Sequence, residues 1–255
     1  MGFKYFSRLV IFLAALASLA IVAEAQKSVS QTTNNQNEAQ KAWDSLIRTK
    51  GGRDKLYSVT NILTESYYGT TRLFVMSNRL WQFSTGFDGQ PDLDVNDGHM
   101  AYAASSRGTY GSQPVEMDPC DYERMMFLLE TKSCKPEILG VTRVREGKRV
   151  LDVIQTVFSG SRVDLAYEPE EQLVGEARVY WSAGEIGHKY RFDKYVDVDG
   201  IKMPTMIADS VDYPKFRDLD HFVPVKISLN VDYDPKIFEP PFIATTKDTW
   251  KRKPQ

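Results

Sequence analysis

Polar and apolar residues alternate through positions 188–211, HKYRFDKYVDVDGIKMPTMIADSV, with the period of two that predicts half-buried strands. On the first arm His188, Tyr190, Phe192, Val196 and Val198 share one face, with Lys194 the exception, while Lys189, Arg191, Asp193 and Asp197 take the other. Asp199-Gly200 supplies a two-residue turn that tolerates positive φ, so the stretch reads as a long hairpin. The turn pairs Val198 with Ile201, Val196 with Met203 and Phe192 with Ile207; a slip of one residue would turn every apolar side chain to the wrong face. Pro204 would direct its missing N–H away from its partner strand, so pairing is expected to be interrupted on that side.

The same period recurs along the chain. It predicts strands over 56–68, 70–77, 79–87, 99–105, 138–145, 150–158, 162–167, 172–182 and 222–233, with a brief one at 92–96. Gly108 to Pro114 reads as a flexible loop. A helical period replaces the strand period twice. From Asn37 to Lys50 the apolar stripe is Ala39, Trp43, Leu46 and Ile47, and Gly51-Gly52 end it. Asp118-Pro119 then opens a helix with the stripe Tyr122, Met125, Met126 and Leu129. The expected class is mainly β (α+β): an incomplete antiparallel β-barrel of roughly ten to eleven strands with helices covering the concave face.

Composition adjusts this picture at the ends. Lys4 and Arg8 precede an apolar run from Leu9 to Ala23, and Ala23-Glu24-Ala25 forms a small-x-small site. Residues 1–25 are therefore expected to be a secretory signal peptide, and 26–36 a disordered leader. Residues 37–245 should make a single domain and 246–255 a polar tail. The run is short for a membrane span, which needs ~20 residues. A formal net charge of −2 offers no basic excess for nucleic acid. Cys120 and Cys134 are the only cysteines, which in an exported chain suggests one disulfide rather than two buried thiols. A bridge requires the second helix to end near Leu129 and the chain to double back, because a continuous helix would hold the two Cα atoms ~21 Å apart.

Chemistry-bearing motifs are sparse. His99, His188 and His221 lack the spacing of a metal site, and there is no G-x-S-x-G, phosphate-binding glycine loop or C-x-x-C. Asp92, Asp94 and Asn96 imitate the start of a calcium loop, but Asp97 and Ala103 stand where glycine and glutamate would be needed. No cofactor and no metal are therefore expected. The remaining candidates are apolar: Trp81, Phe83 and Phe87 on one strand, Tyr190, Phe192, Val196 and Met203 on the hairpin, and Met117, Met125 and Met126 around the second helix. Each is either ordinary core or the lining of a cavity.

The segments AWDSLIRTKGGRDKLYSVTNI at 42–62, VDLAYEPEEQLVGEARV at 163–179, YRFDKYVDVDGIKMPTMI at 190–207 and NVDYDPKIFEPP at 230–241 resemble the LolA/LolB-like proteins. These are the outer-membrane lipoprotein-sorting and carrier proteins of the bacterial periplasm, with their uncharacterised relatives. The resemblance implies a half-open, helix-covered barrel whose apolar cavity takes lipid acyl chains, a periplasmic location, and lipid or acylated protein as partner with transient membrane contact. No cysteine follows the small-x-small site, so a soluble carrier or binder fits better than an anchored receptor. Among the carrier's functional residues an arginine would correspond to Arg72 or Arg79, and neither position is assigned. The competing reading is a structural or protein-interaction module with a filled barrel and an exposed edge.

Overall fold

The alternating stretches pair into one antiparallel sheet, seen in a computed structural model that describes residues 35–66, 69–85, 89–115, 118, 120–180, 184–211 and 221–251. The chain enters through helix α1 (35–50) and a short helix α2 (Arg53–Ser58). Strands β1 (Asn61–Ser66), β2 (Thr71–Val75), β3 (Arg79–Thr85), β4 (Pro91–Asn96), β5 (Met100–Ser105) and β6 (Gly108–Pro114) follow as a meander. Helix α3 (Tyr122–Leu128) leads to β7 (Glu137–Glu146), β8 (Arg149–Phe158), β9 (Ser161–Tyr167), β10 (Val174–Tyr180), β11 (Ile186–Val198), β12 (Ile201–Val211) and β13 (Val223–Leu229). A 3-10 turn at Pro235–Phe238 follows the last strand.

The strand order is β6-β5-β4-β3-β2-β1-β13-β12-β11-β10-β9-β8-β7. The chain therefore starts in the middle, works out to one edge, crosses to the other edge through α3 and works back, so that β13 lands beside β1. The sheet has 13 strands rather than the ten to eleven expected, and it is open: no ladder joins β6 to β7 among the described residues. Gly108 to Pro114, expected to be a loop, is an edge strand, its glycines having masked the pattern. Residues 56–58, expected to open the strand at 56–68, belong instead to α2.

Open does not mean flat. Twelve inter-strand steps of ~4.8 Å would separate the edges of a flat sheet by ~58 Å. The crossover cannot reach that far, because Cys120 and Cys134 are bridged and their Cα atoms lie 5.1 Å apart. The path from Pro114 to Cys120, across the bridge and on to Glu137 spans at most ~37 Å at ~3.5 Å per residue. The sheet must curl until its edges come within that reach. Leu129 takes φ +68 directly after α3, which turns the chain back toward the bridge.

Two large cores follow from the alternation, beside a small cluster of Leu151, Val153 and Ala166. On one face, α1 and α3 press Trp43, Leu46, Ile47, Met125 and Leu128 onto Ile62, Ile154, Leu165, Tyr190, Phe192 and Ile227. On the other face, β1–β5 present Leu63, Leu73, Trp81, Phe83, Leu93 and Val95 to Ile237, Phe238, Phe242 and Trp250. The helices thus cover the half from β7 to β1, while the chain after β13 straps the opposite face of the other half. Trp250, inside the stretch expected to be a polar tail, is buried there.

Closing a 14-residue separation by a disulfide is worth ~3 kcal/mol. Replacing Cys120 and Cys134 together by serine is expected to lower the unfolding free energy by about that amount, measured by urea denaturation at neutral pH.

Candidate functional site: the helix-covered face and the β12–β13 joint

The hairpin of β11 and β12 has the register expected, with Val198 opposite Ile201, Val196 opposite Met203 and Phe192 opposite Ile207. Lys194, the exception in the pattern, takes φ +53. Beyond it the alternation breaks: Tyr195 packs against the interior and Val196 is 43% exposed, so Val196 leaves the set of candidate lining residues. Pro204 pairs with Tyr195 on β11. On its other side the ladder is missing, because β12 meets β13 only at Met206–Pro224 and Ile207–Val223 among the described residues. β13 instead runs along β1 through the pairs from Ile62–Leu229 to Ser66–Val225. The interruption expected at Pro204 is therefore a joint at which β12 and β13 part company.

The corner between α1 and α2 lies against this joint. Gly51, at φ +143, passes so close to the hairpin turn that a Cβ would stand 2.6 Å from the Gly200 carbonyl oxygen, which only glycine allows. Lys55 Nζ donates to the same carbonyl at 3.3 Å. Lys50, the last residue of α1, is directed inward. Its Nζ lies 3.9 Å from Met203 Sδ and 5.4 Å from the centroid of the Tyr195 ring. Burial pushes its pKa down to about 7, since charge is disfavoured where water is excluded. The Tyr195 hydroxyl does not meet it: it donates to the Val174 carbonyl at 2.6 Å, and burial pushes its own pKa up.

A second buried polar group fastens α1 and α2, and it is fully matched. Glu130, buried just after α3, accepts from Trp43 Nε1 at 2.9 Å and from Arg53 Nε at 2.9 Å. The Tyr57 hydroxyl also donates to it. Burial alone would raise the Glu130 pKa, but the hydrogen bonds from Arg53, Tyr57 and Trp43 outweigh it and hold the carboxyl below its ordinary value. Arg53 also pairs with Asp44 at 2.7 Å. One carboxylate from the crossover thus ties together α1 and α2.

The apolar candidates divide between the two faces. Tyr190 and Phe192 stack at 6.5 Å between centroids and belong with Met125, Met126 and Met203 under the helices. Trp81 and Phe83, 6.4 Å apart, lie on the opposite face beneath the strap. Phe87 and Met117 lie outside the described residues. Under the helices the side chains touch one another, and Met125, Leu128 and Met203 have no exposed surface. Clefts among the described residues lie clear of Met125, Leu128 and Met203. One of about 310 Å³ is lined by Tyr167, Glu176, Arg191, Phe192 and Phe222, and another of about 910 Å³ by Arg79, Asp97, His99 and Pro114. Asp92, Asp94 and Asn96 are strand residues of β4, with Asp92 accepting from the Tyr110 hydroxyl at 2.9 Å. Sequence reasoning missed Lys50 and Glu130. A lysine and a glutamate in polar runs carry no signal of burial until the helices are docked.

Comparison with known proteins follows the fold. No family model matches the chain, and no curated protein sequence matches it. Solved structures do. A DUF1329 family protein from Desulfovibrio piger is 13% identical with a TM-score of 0.39, covering 79% of this chain and 97% of its own. The LolA superfamily protein NE2245 from Nitrosomonas europaea is 13% identical with a TM-score of 0.37, covering 77% and 96%. An outer membrane lipoprotein-sorting protein domain from Vibrio parahaemolyticus is 9% identical with a TM-score of 0.38, covering 79% and 97%.

Two pH-dependent outcomes follow. The stability that Glu130 contributes is fully present above its unfolded value of ~4.3 and is lost as pH falls through its lower native value. Glu130→Gln is expected to cost ~1–3 kcal/mol at neutral pH and to flatten the acid limb of the melting-temperature profile. For Lys50 the sign is opposite. Between its native value of about 7 and ~10.4 in the unfolded chain only the unfolded state holds the proton, so stability rises with pH across that window. Lys50→Met is expected to remove the rise and to stabilise the protein by ~1–4 kcal/mol at pH 7, read from chemical denaturation at pH 7 and 10.

Proposed function

We propose that this protein binds an acyl chain, presented by a lipid or an acylated protein, between its helices and the apolar face of its sheet, without catalysing a reaction. The observation that carries the reading is the β12–β13 joint. The face under the helices is largely apolar, and among the described residues the sheet beside it is held by two ladder pairs at Met206–Pro224 and Ile207–Val223. Parting there admits an extended chain without unfolding either half. The ligand would replace side-chain contacts among Met125, Phe192 and Met203, and each buried methylene is worth ~0.8 kcal/mol. A tail of ~12–16 carbons therefore provides enough driving force for reversible capture. The chain's resemblance in sequence to lipoprotein carriers supports the same reading, together with a periplasmic location and transient contact with membrane.

One observation favours a second reading, a structural or interaction module of the cell envelope. The helix-covered interior is filled, and β6 is an edge strand whose Tyr110 is 65% exposed, which suits strand addition by a partner. The two readings separate in one measurement. Protein purified from its native host is expected to retain lipid or acylated peptide by mass spectrometry and, once delipidated, to brighten the apolar probe N-phenyl-1-naphthylamine. Clean spectra together with no brightening would leave only the interaction module.

A further inference from the structure

Most buried charges in this structure have an opposite charge or a set of hydrogen bonds to meet them. Glu130 has Arg53, Asp164 has Arg162, and Glu176 has Arg178 and Lys189. Lys50 differs. It is 3% exposed, and among the described residues its side chain meets a methionine sulfur and a tyrosine ring. A thioether is a weak acceptor, and a ring face attracts a cation only modestly. Neither offsets the removal of an ammonium from water. Methionine would fill much the same space without that cost, so packing gives no reason for an amine at this position.

Its location gives one. Lys50 ends α1, and it touches Met203 on the stretch of β12 that, among the described residues, has no ladder partner on β13. A chain entering at that joint would bring its polar end past Nζ.

We infer that Lys50 is the counter-charge for the acidic head of the ligand, and that the ligand class is a single-chain anionic amphiphile whose carboxylate or phosphate pairs with Nζ while its tail lies against the sheet. The inference rests on the acyl-binding reading above and adds the head group to it. With the anion in place the ammonium gains the partner it lacks, and an uncharged amphiphile of equal length forgoes that gain.

The test compares palmitate, lysophosphatidate and methyl palmitate on delipidated full-length protein, by displacement of N-phenyl-1-naphthylamine. Wild type is expected to bind at least one of the two acids tenfold or more tightly than the ester, and which acid is preferred identifies the head as carboxylate or phosphate. In Lys50→Met the ratio of acid to ester affinity is expected to fall to about one, and in Lys50→Arg to stay well above one. Circular dichroism and the melting temperature establish that both variants are folded. Equal binding of acid and ester by wild type, or an undiminished ratio in Lys50→Met, overturns the role of Lys50 and leaves acyl binding standing. Binding of none of the three overturns both.

Discussion

The shortness of the connection from β6 to β7 governs this architecture. A meander that begins in the middle of a sheet and reaches one edge has to return from the other, and here the return is clipped by the bridge between Cys120 and Cys134. The sheet curls because the crossover is too short to span it flat. Once curled, it has an inner face, and α3 is drawn over that face because it is part of the crossover itself. Cover and curvature therefore have one cause. The helices need no separate affinity for the site they occupy, although their apolar stripes reward them for being there.

Two buried ionisable groups beside α1 and α2 have opposite energetic characters. Glu130 is satisfied by donors from Trp43, Arg53 and Tyr57, so it fixes α1 and α2 to the crossover. Lys50 lacks such matching and lies where the sheet is least continuous. Strain of this kind is commonly concentrated where a protein does its work.

The hairpin was legible in the sequence to the residue, because an Asp-Gly turn and period-two alternation leave one register. Lys194 broke that pattern, and its positive φ is the reason. Pro204 announced the gap in pairing through its missing N–H. Other features were not legible. The glycines at 108 and 111 removed the apolar signal from an edge strand that needs little of it. Leu56 and Tyr57 looked like strand residues, yet the segment forms a helical turn whose Leu56 packs under the sheet. Which face an aromatic takes depends on the parity of its strand relative to strands far away in sequence. That is why Trp81 and Tyr190, alike in the sequence, lie on opposite faces.

β13 is the last strand to be made and it sits in the middle, between β1 and β12. Each half of the sheet is a set of neighbouring hairpins that can form from local sequence, but the halves have no shared border until residues 223–229 arrive. Thr60 and Asn230, hydrogen-bonded at 2.7 Å, are 170 positions apart. A nascent chain would therefore carry two unjoined β-leaves, each with a raw edge, and the final segment would act as the keystone. Slow closure of such distant contacts is the expected price of this topology, and it makes the interval before closure the time when aggregation threatens most.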